Sequence, residues 1–359
     1  MTDYRVPFRQ LLESTYVSSR DTGESIVKKM TAFFDAVIPF IPEKLYRFRK
    51  MDKDGYSVDA LRNGTIPLCK ASLFPDKYDS QVYIDNHRIR NELVKHLREA
   101  LSFVLTDIGN KNPSIKSEKA SKVCYYRECG LDDQQIIERL IEEEYSEYIT
   151  DLERRLKQRE LRFRDSDRTA RIACFTESIH SKFMWDAYAG GYSGFALEYN
   201  LRELFSLSLD RLKQVYVFPV IYSETKPDLT DWEFNNFILE QSMAQDEMKS
   251  LRPFLTNVSF NLIAPFVPFL YKDRRAYEHE QEWRMLYYDL DLASDFVSVP
   301  DNQCLTGIYY GPSTKEKDIA LLHSIAEKRG LSEHRVVLDT ESRKYDLKVI
   351  DYKGFTDIG

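Results

Sequence analysis

Between residues 132 and 165 the side chains of Ile137, Ile141, Tyr145, Tyr148, Leu152 and Leu156 recur at steps of three or four. That spacing places them on one stripe and predicts a long amphipathic helix. Around it the pattern changes. Leu45–Phe48, Thr65–Leu68, Arg171–Phe175, Ser193–Tyr199, Val215–Tyr222, Glu282–Tyr288, Leu305–Tyr310 and Arg335–Leu338 are short runs rich in β-branched and aromatic residues, each predicting a strand. Pro219 assigns Val215–Tyr222 to an edge or a bulge. Further helices are expected at Ser25–Ile41, Val58–Gly64, Tyr83–Ile108, Ser181–Ala189, Leu229–Phe260 and Ser313–Arg329, with Gly109–Ser121 a polar connection. The chain therefore reads as α+β, an interrupted mixed β-sheet core with large helical insertions. Residues 84–168 form the insertion, 45–83 and 169–359 the α+β core, and 1–44 an N-terminal helical segment.

The charge of the long helix is polarised. Asp132–Glu153 holds nine acids against Arg139, and Arg154–Arg171 holds eight bases against Glu160, Asp165 and Asp167. Acid first and base last suits the helix dipole. Two readings follow: a solvated helix packing on the core or a partner helix, or a basic end bordering a polyanionic ligand. The net charge of −7 over 359 residues excludes a generally cationic nucleic-acid coat but leaves room for a local basic rim.

Several enzyme classes lack their motifs. There is no G-x-x-x-x-G-K-[ST] loop, G-x-G-x-x-G turn, H-E-x-x-H or G-x-S-x-G. The five cysteines are scattered, and Cys124 and Cys129 have no second ligand pair, so no metal site is expected there. The odd count and a start without a basic, then apolar, run predict reduced thiols in the cytoplasm. No apolar stretch approaches the roughly 20 residues of a membrane helix.

Three stretches carry candidate chemistry. In Glu278-His279-Glu280-Gln281-Glu282-Trp283-Arg284, extended backbone would project Glu280 and Glu282 together, with Arg284 beyond. Two adjacent carboxylates repel, which raises the pKa of one. The pair suits oxocarbenium stabilisation, general base work or a divalent cation, or else it is a charged edge strand with an internal Glu–Arg pair. In Leu45–Arg49, alternation sets Tyr46 and Phe48 on one face and Arg47 and Arg49 on the other, and arginine suits phosphate. The third stretch joins Thr176 and Ser178 to a helix bearing Trp185 and Tyr188, with Gly190-Gly191 for a tight exit turn. These aromatics suit either stacking on a flat ring or a plain core.

In order, Leu45–Arg49, Ser72–Asp79, Cys174–Glu177, Met184–Ala189 with Gly194–Tyr199, and Glu280–Arg284 resemble the bacterial family called domain of unknown function 2971 (DUF2971). The order of Arg, strand hydroxyl and E-x-E is more distantly similar to the Arg–Ser–Glu class of ADP-ribosyltransferases. That resemblance implies an ADP-ribosyltransferase-like core with NAD as substrate. It implies Arg47 on the NAD diphosphate region, Thr176 or Ser178 supporting the nicotinamide ribose, and Glu282 stabilising the oxocarbenium. Glu280 would assist a protein or nucleic-acid acceptor, and Trp185 or Tyr188 would stack on nicotinamide. A bacterial toxin or phage-defence effector is the implied setting. Two other functions stand beside it. One is a metal-dependent nuclease or phosphohydrolase using Glu280, Glu282, Asp76 and Asp79. The other is a non-catalytic sensor that meets a partner, or a second copy of itself, through the helix 132–165.

Overall fold

The computed structural model describes residues 4–18, 21–109, 117–163, 169–210, 215–244, 259–289, 292–352 and 354. Its strands are β1 (Tyr16–Ser18), β2 (Leu45–Arg49), β3 (Thr65–Cys69), β4 (Ala170–Thr176), β5 (Phe195–Tyr199), β6 (Val215–Pro219) and β7 (Ile221–Ser223). They continue with β8 (Ser259–Asn261), β9 (Tyr271–Asp273), β10 (Glu282–Tyr288), β11 (Phe296–Pro300), β12 (Leu305–Tyr310), β13 (Ser332–Leu338) and β14 (Leu347–Asp351). Among the described residues, ten of them form one mixed sheet in the order β11-β3-β4-β2-β5-β12-β13-β14. β10 joins the side of β4, and β6 joins β10. The large sheet is antiparallel except at β12–β13. Among the described residues β6 pairs with β10 alone, and it ends at Pro219, an edge that tolerates the missing amide donor.

Both faces of the sheet are covered. The larger apolar core takes Leu45, Phe175, Leu197, Phe218, Trp283 and Met285 from the strands. It also takes Phe8, Leu12, Phe33 and Phe34 from the helices Arg5–Ser14 and Gly23–Val37, so the N-terminal segment is part of this core. A smaller cluster on the other face gathers Tyr46, Phe48, Trp185, Ala196 and Tyr309.

The helical insertion has a core of its own, built from Asn86–Gly109, Ser117–Glu128 and the helix after Asp132. Phe234, Phe237 and Ile238 of the helix Thr230–Ala244 complete it. The helix Ser117–Glu128 begins inside the polar connection expected at Gly109–Ser121, over Ser117–Ser121. The long helix opens with a capping box, in which Asp132 accepts from the Gln135 amide and the Gln135 side chain accepts from the Asp132 amide. It contains a π turn at Ile141–Tyr145. That one extra residue rotates the stripe, so Ile136 and Leu140 are fully buried before the turn while Ile137 is only partly so. Tyr145, Leu152 and Leu156 are buried as expected. Arg154 and Arg155 pair with Asp151. The side chains of the later bases up to Arg168 lie outside the described residues, as does 245–258 of the helix expected at Leu229–Phe260.

Candidate functional site

β4 runs beside β10 over its whole length, from Ala170↔Tyr288 to Thr176↔Glu282. On its other edge it meets β3 at one pair, Cys69↔Ile172, and β2 at one pair, Tyr46↔Thr176. Among the described residues nothing pairs with Ala173–Phe175 on that edge, so the sheet splays open into a window. Arg47 bridges it. Its Nη2 donates to the Pro67 carbonyl at 2.8 Å, and its guanidinium lies 5.5 Å from the Phe175 ring centroid. Its Nη1 is shut off from solvent and has no hydrogen-bond partner. Burial, and then the like charge of Arg49, bring the Arg47 pKa down to about 9, and burial lowers that of Arg49 too. The neighbours acting most strongly on the two arginines are Tyr199, Tyr56, Cys174 and Cys69, none of them a carboxylate.

Beside the other edge of β4, β10 carries a buried ionic chain. Arg284 is fully buried and binds Asp79 through both guanidinium nitrogens, at 2.8 and 2.5 Å. Its Nε donates to Glu282 at 2.7 Å. Lys272 donates to Glu282 at 2.8 Å and to Glu280 at 2.6 Å, with its ammonium 4.1 Å from the Tyr277 ring centroid. Tyr188 donates its hydroxyl to Glu280 at 2.7 Å. Tyr222 accepts from the Glu282 amide at 2.7 Å.

Burial favours the neutral form of Glu282, but Arg284 and Lys272 outweigh it and hold the pKa at about 2. The expected repulsion between two carboxylates, raising one pKa, is therefore corrected: a lysine sits between them. They also do not share an extended strand. Gln281 adopts φ 46°, ψ 49°, so Glu280 belongs to a 3₁₀ turn and Glu282 opens β10. The internal Glu–Arg pair is present.

Tyr46 is in register with Thr176 and with Glu198, and Thr176 with Glu282, so these residues form one row on one face. Arg47, one residue on, belongs to the opposite face and touches neither Thr176 nor Glu282. Cys174 links the two sides: its thiol lies within hydrogen-bonding reach of Glu282 and acts electrostatically on both arginines. Burial, then Glu282, push that thiol well above its ordinary pKa. Thr176 donates to the Glu280 carbonyl at 2.6 Å, while Ser178 accepts from the His180 amide at 3.2 Å.

Trp185 is completely buried against Phe48, with its indole nitrogen donating to the Ile179 carbonyl, so as placed it offers no face to a ligand. Tyr188 does. The helix Lys182–Ala187 stops before it, and its ring is 45% exposed beside Phe183, itself 44% exposed. The turn that follows needs Gly190 and Gly191 at φ 60° and 63°. A side chain at Gly194 would lie 2.1 Å from the Arg49 carbonyl, which ties this turn to β2.

Sequence reasoning missed Lys272, Tyr222 and Glu198. Glu198 is buried and held by Tyr309 at 2.6 Å, Thr306 at 2.8 Å and Lys44 at 3.1 Å. Lys272, the base that closes the apolar run before it, was the signal available. For the metal reading, both Asp79 oxygens are committed to Arg284, and Asp76 accepts from the Tyr78 amide. Among the described residues no group of three or more His, Cys, Asp or Glu is placed to hold a metal ion. Among them, too, no helix is long and apolar enough to cross a membrane.

Residues 184–285 match the family model described as "Protein of unknown function (DUF2971)", which shows the family resemblance over that segment. No curated protein and no solved structure matches the chain.

Proposed function

We propose that the chain is an NAD-consuming enzyme of ADP-ribosyltransferase-like kind, taking NAD as substrate and a protein or nucleic-acid acceptor. The observation that carries this reading is the Arg47–Arg49 pair, two half-buried cations whose strongest neighbours include no carboxylate, with one guanidinium nitrogen shut off and unpartnered. A partly buried charge without a counter-ion is costly, and a diphosphate would offset it with charge-assisted bonds. On the other face of the sheet, buried Glu280 accepts from the hydroxyl of the exposed Tyr188, which sets a flat aromatic ring beside a carboxylate. In the reaction the ribose–nitrogen bond breaks, and its electron pair leaves with nicotinamide. A nearby carboxylate stabilises the cationic ribose, and the acceptor then bonds to that carbon and loses its proton to a base. We assign the carboxylate at the reacting carbon to Glu280, because Glu282 is held between two cations. The toxin or phage-defence setting is analogy alone.

Calorimetric titration of NAD into the full chain tests this. Saturable binding is expected in the wild type and its loss in Arg47→Met and Arg49→Met, with cooperative unfolding retained. Equal binding by all three, or none by the wild type, would contradict the reading. A second reading, a non-catalytic protein that meets a partner through its helical insertion, draws on the separate core of that insertion. It expects no NAD binding.

A further inference from the structure

β7 and β9 form a parallel two-stranded ribbon with Tyr222 opposite Lys272 and Ile221 opposite Tyr271. Strand side chains alternate between faces. Tyr222 and Lys272 serve the ionic chain, whereas Tyr271 and Ser223 line a cavity of about 470 Å³ on the other side. That volume falls in the ordinary range of small-ligand sites, roughly 300–1,000 Å³. The ribbon is thus a wall one strand pair wide between the candidate site and a second pocket.

The lining indicates the ligand. Its charges are held within the protein: Arg9 pairs with Glu13 at 2.7 Å, Asp228 and Asp231 both pair with Arg88, and Lys226 donates to the neutral Gln81 side chain at 2.7 Å. A charged ligand would have to compete with these contacts, in contrast to the Arg47–Arg49 window. What remains is aromatic and neutral. Tyr16, Trp232 and Tyr271 supply flat faces, and Ser223 and Thr225 supply hydroxyls. Asn235 spends its amide nitrogen on the Ser259 carbonyl at 2.7 Å, leaving its oxygen to accept. Flat faces with hydrogen-bonding edges, beside charges that are already engaged, match an uncharged heteroaromatic ring carrying hydroxyls.

We propose that this cavity binds a nucleoside as an effector, and that its occupancy is felt at Lys272 through β9. The inference does not depend on NAD entering the window. Adenosine, guanosine, cytidine and uridine, titrated separately into the full chain, test it. At least one is expected to bind saturably and to change tryptophan emission. Ser223→Leu and Asn235→Leu, checked for unchanged far-UV circular dichroism and unfolding, should weaken that binding about tenfold or more. Arg47→Met should leave it intact. Amide exchange in the 271–284 segment should slow on binding. Absence of binding at millimolar nucleoside, equal binding by the two leucine variants, or loss in Arg47→Met would overturn the site. Unchanged exchange at 271–284 would overturn the link across the wall.

Discussion

Arg284→Met is expected to lose about 3–5 kcal/mol of unfolding free energy in a urea titration at neutral pH. Arg284 is fully buried and is the only group joining Asp79 to Glu282 among the described residues. Its removal leaves the Asp79 carboxylate buried without its cation and leaves Lys272 to balance Glu280 and Glu282 alone. Methionine fills much of the volume, so the loss reports the uncompensated charge more than a cavity. The pH dependence gives a second measure. The Glu282 pKa is lowered from 4.5 to about 2, so its ionised form adds stability that is complete above 4.5 and is lost as pH falls toward 2. Glu282→Gln lacks this dependence, and its stability deficit against wild type should narrow over that interval. A deficit constant with pH, or an Arg284→Met protein as stable as wild type, would show that the ionic chain is not what holds β10 to the 79 loop.

Glu280→Gln is expected to slow nicotinamide release by about 100-fold or more while leaving the protein folded. The amide is nearly isosteric, but its single oxygen can accept from Lys272 or from Tyr188 and not from both, and it carries no charge to set against a cationic ribose. Tyr188→Phe keeps the ring and frees the carboxylate from its hydroxyl, so a smaller loss is expected. Single-turnover release measured with saturating NAD separates the two variants. Equal rates in Glu280→Gln and wild type would remove Glu280 from the chemistry.

What could be read in the chain follows from the range of the interactions. β2, β4, β5 and β10 lie within a residue or two of their expected positions, because alternation and β-branched content are local. The stripe of the long helix was legible except where a π turn shifted it, and no spacing rule marks such a turn. Trp185 and Tyr188 were expected on one helical face. The helix ends at Ala187, so one turned into the core and the other toward solvent. The site itself depends on distant pairings. Asp79 and Arg284 are about 200 residues apart, and the role of Lys272 exists only once β9 lies along β7. Arg47 was legible as a strand arginine. That it fills a splay in the sheet, on the face opposite Thr176, depends on β2 and β3 each touching β4 at one point.

The most direct measurement of the central claim is NAD turnover by the full chain. The purified protein is incubated with nicotinamide-labelled NAD, with bacterial lysate, DNA or RNA as acceptor, in EDTA and in magnesium. Release of nicotinamide, insensitive to EDTA and abolished by Glu280→Gln, is the result expected of a glycosyl-transfer site built on Arg47, Arg49 and Glu280. No NAD consumption with any acceptor, or consumption equal in the variant, would contradict it.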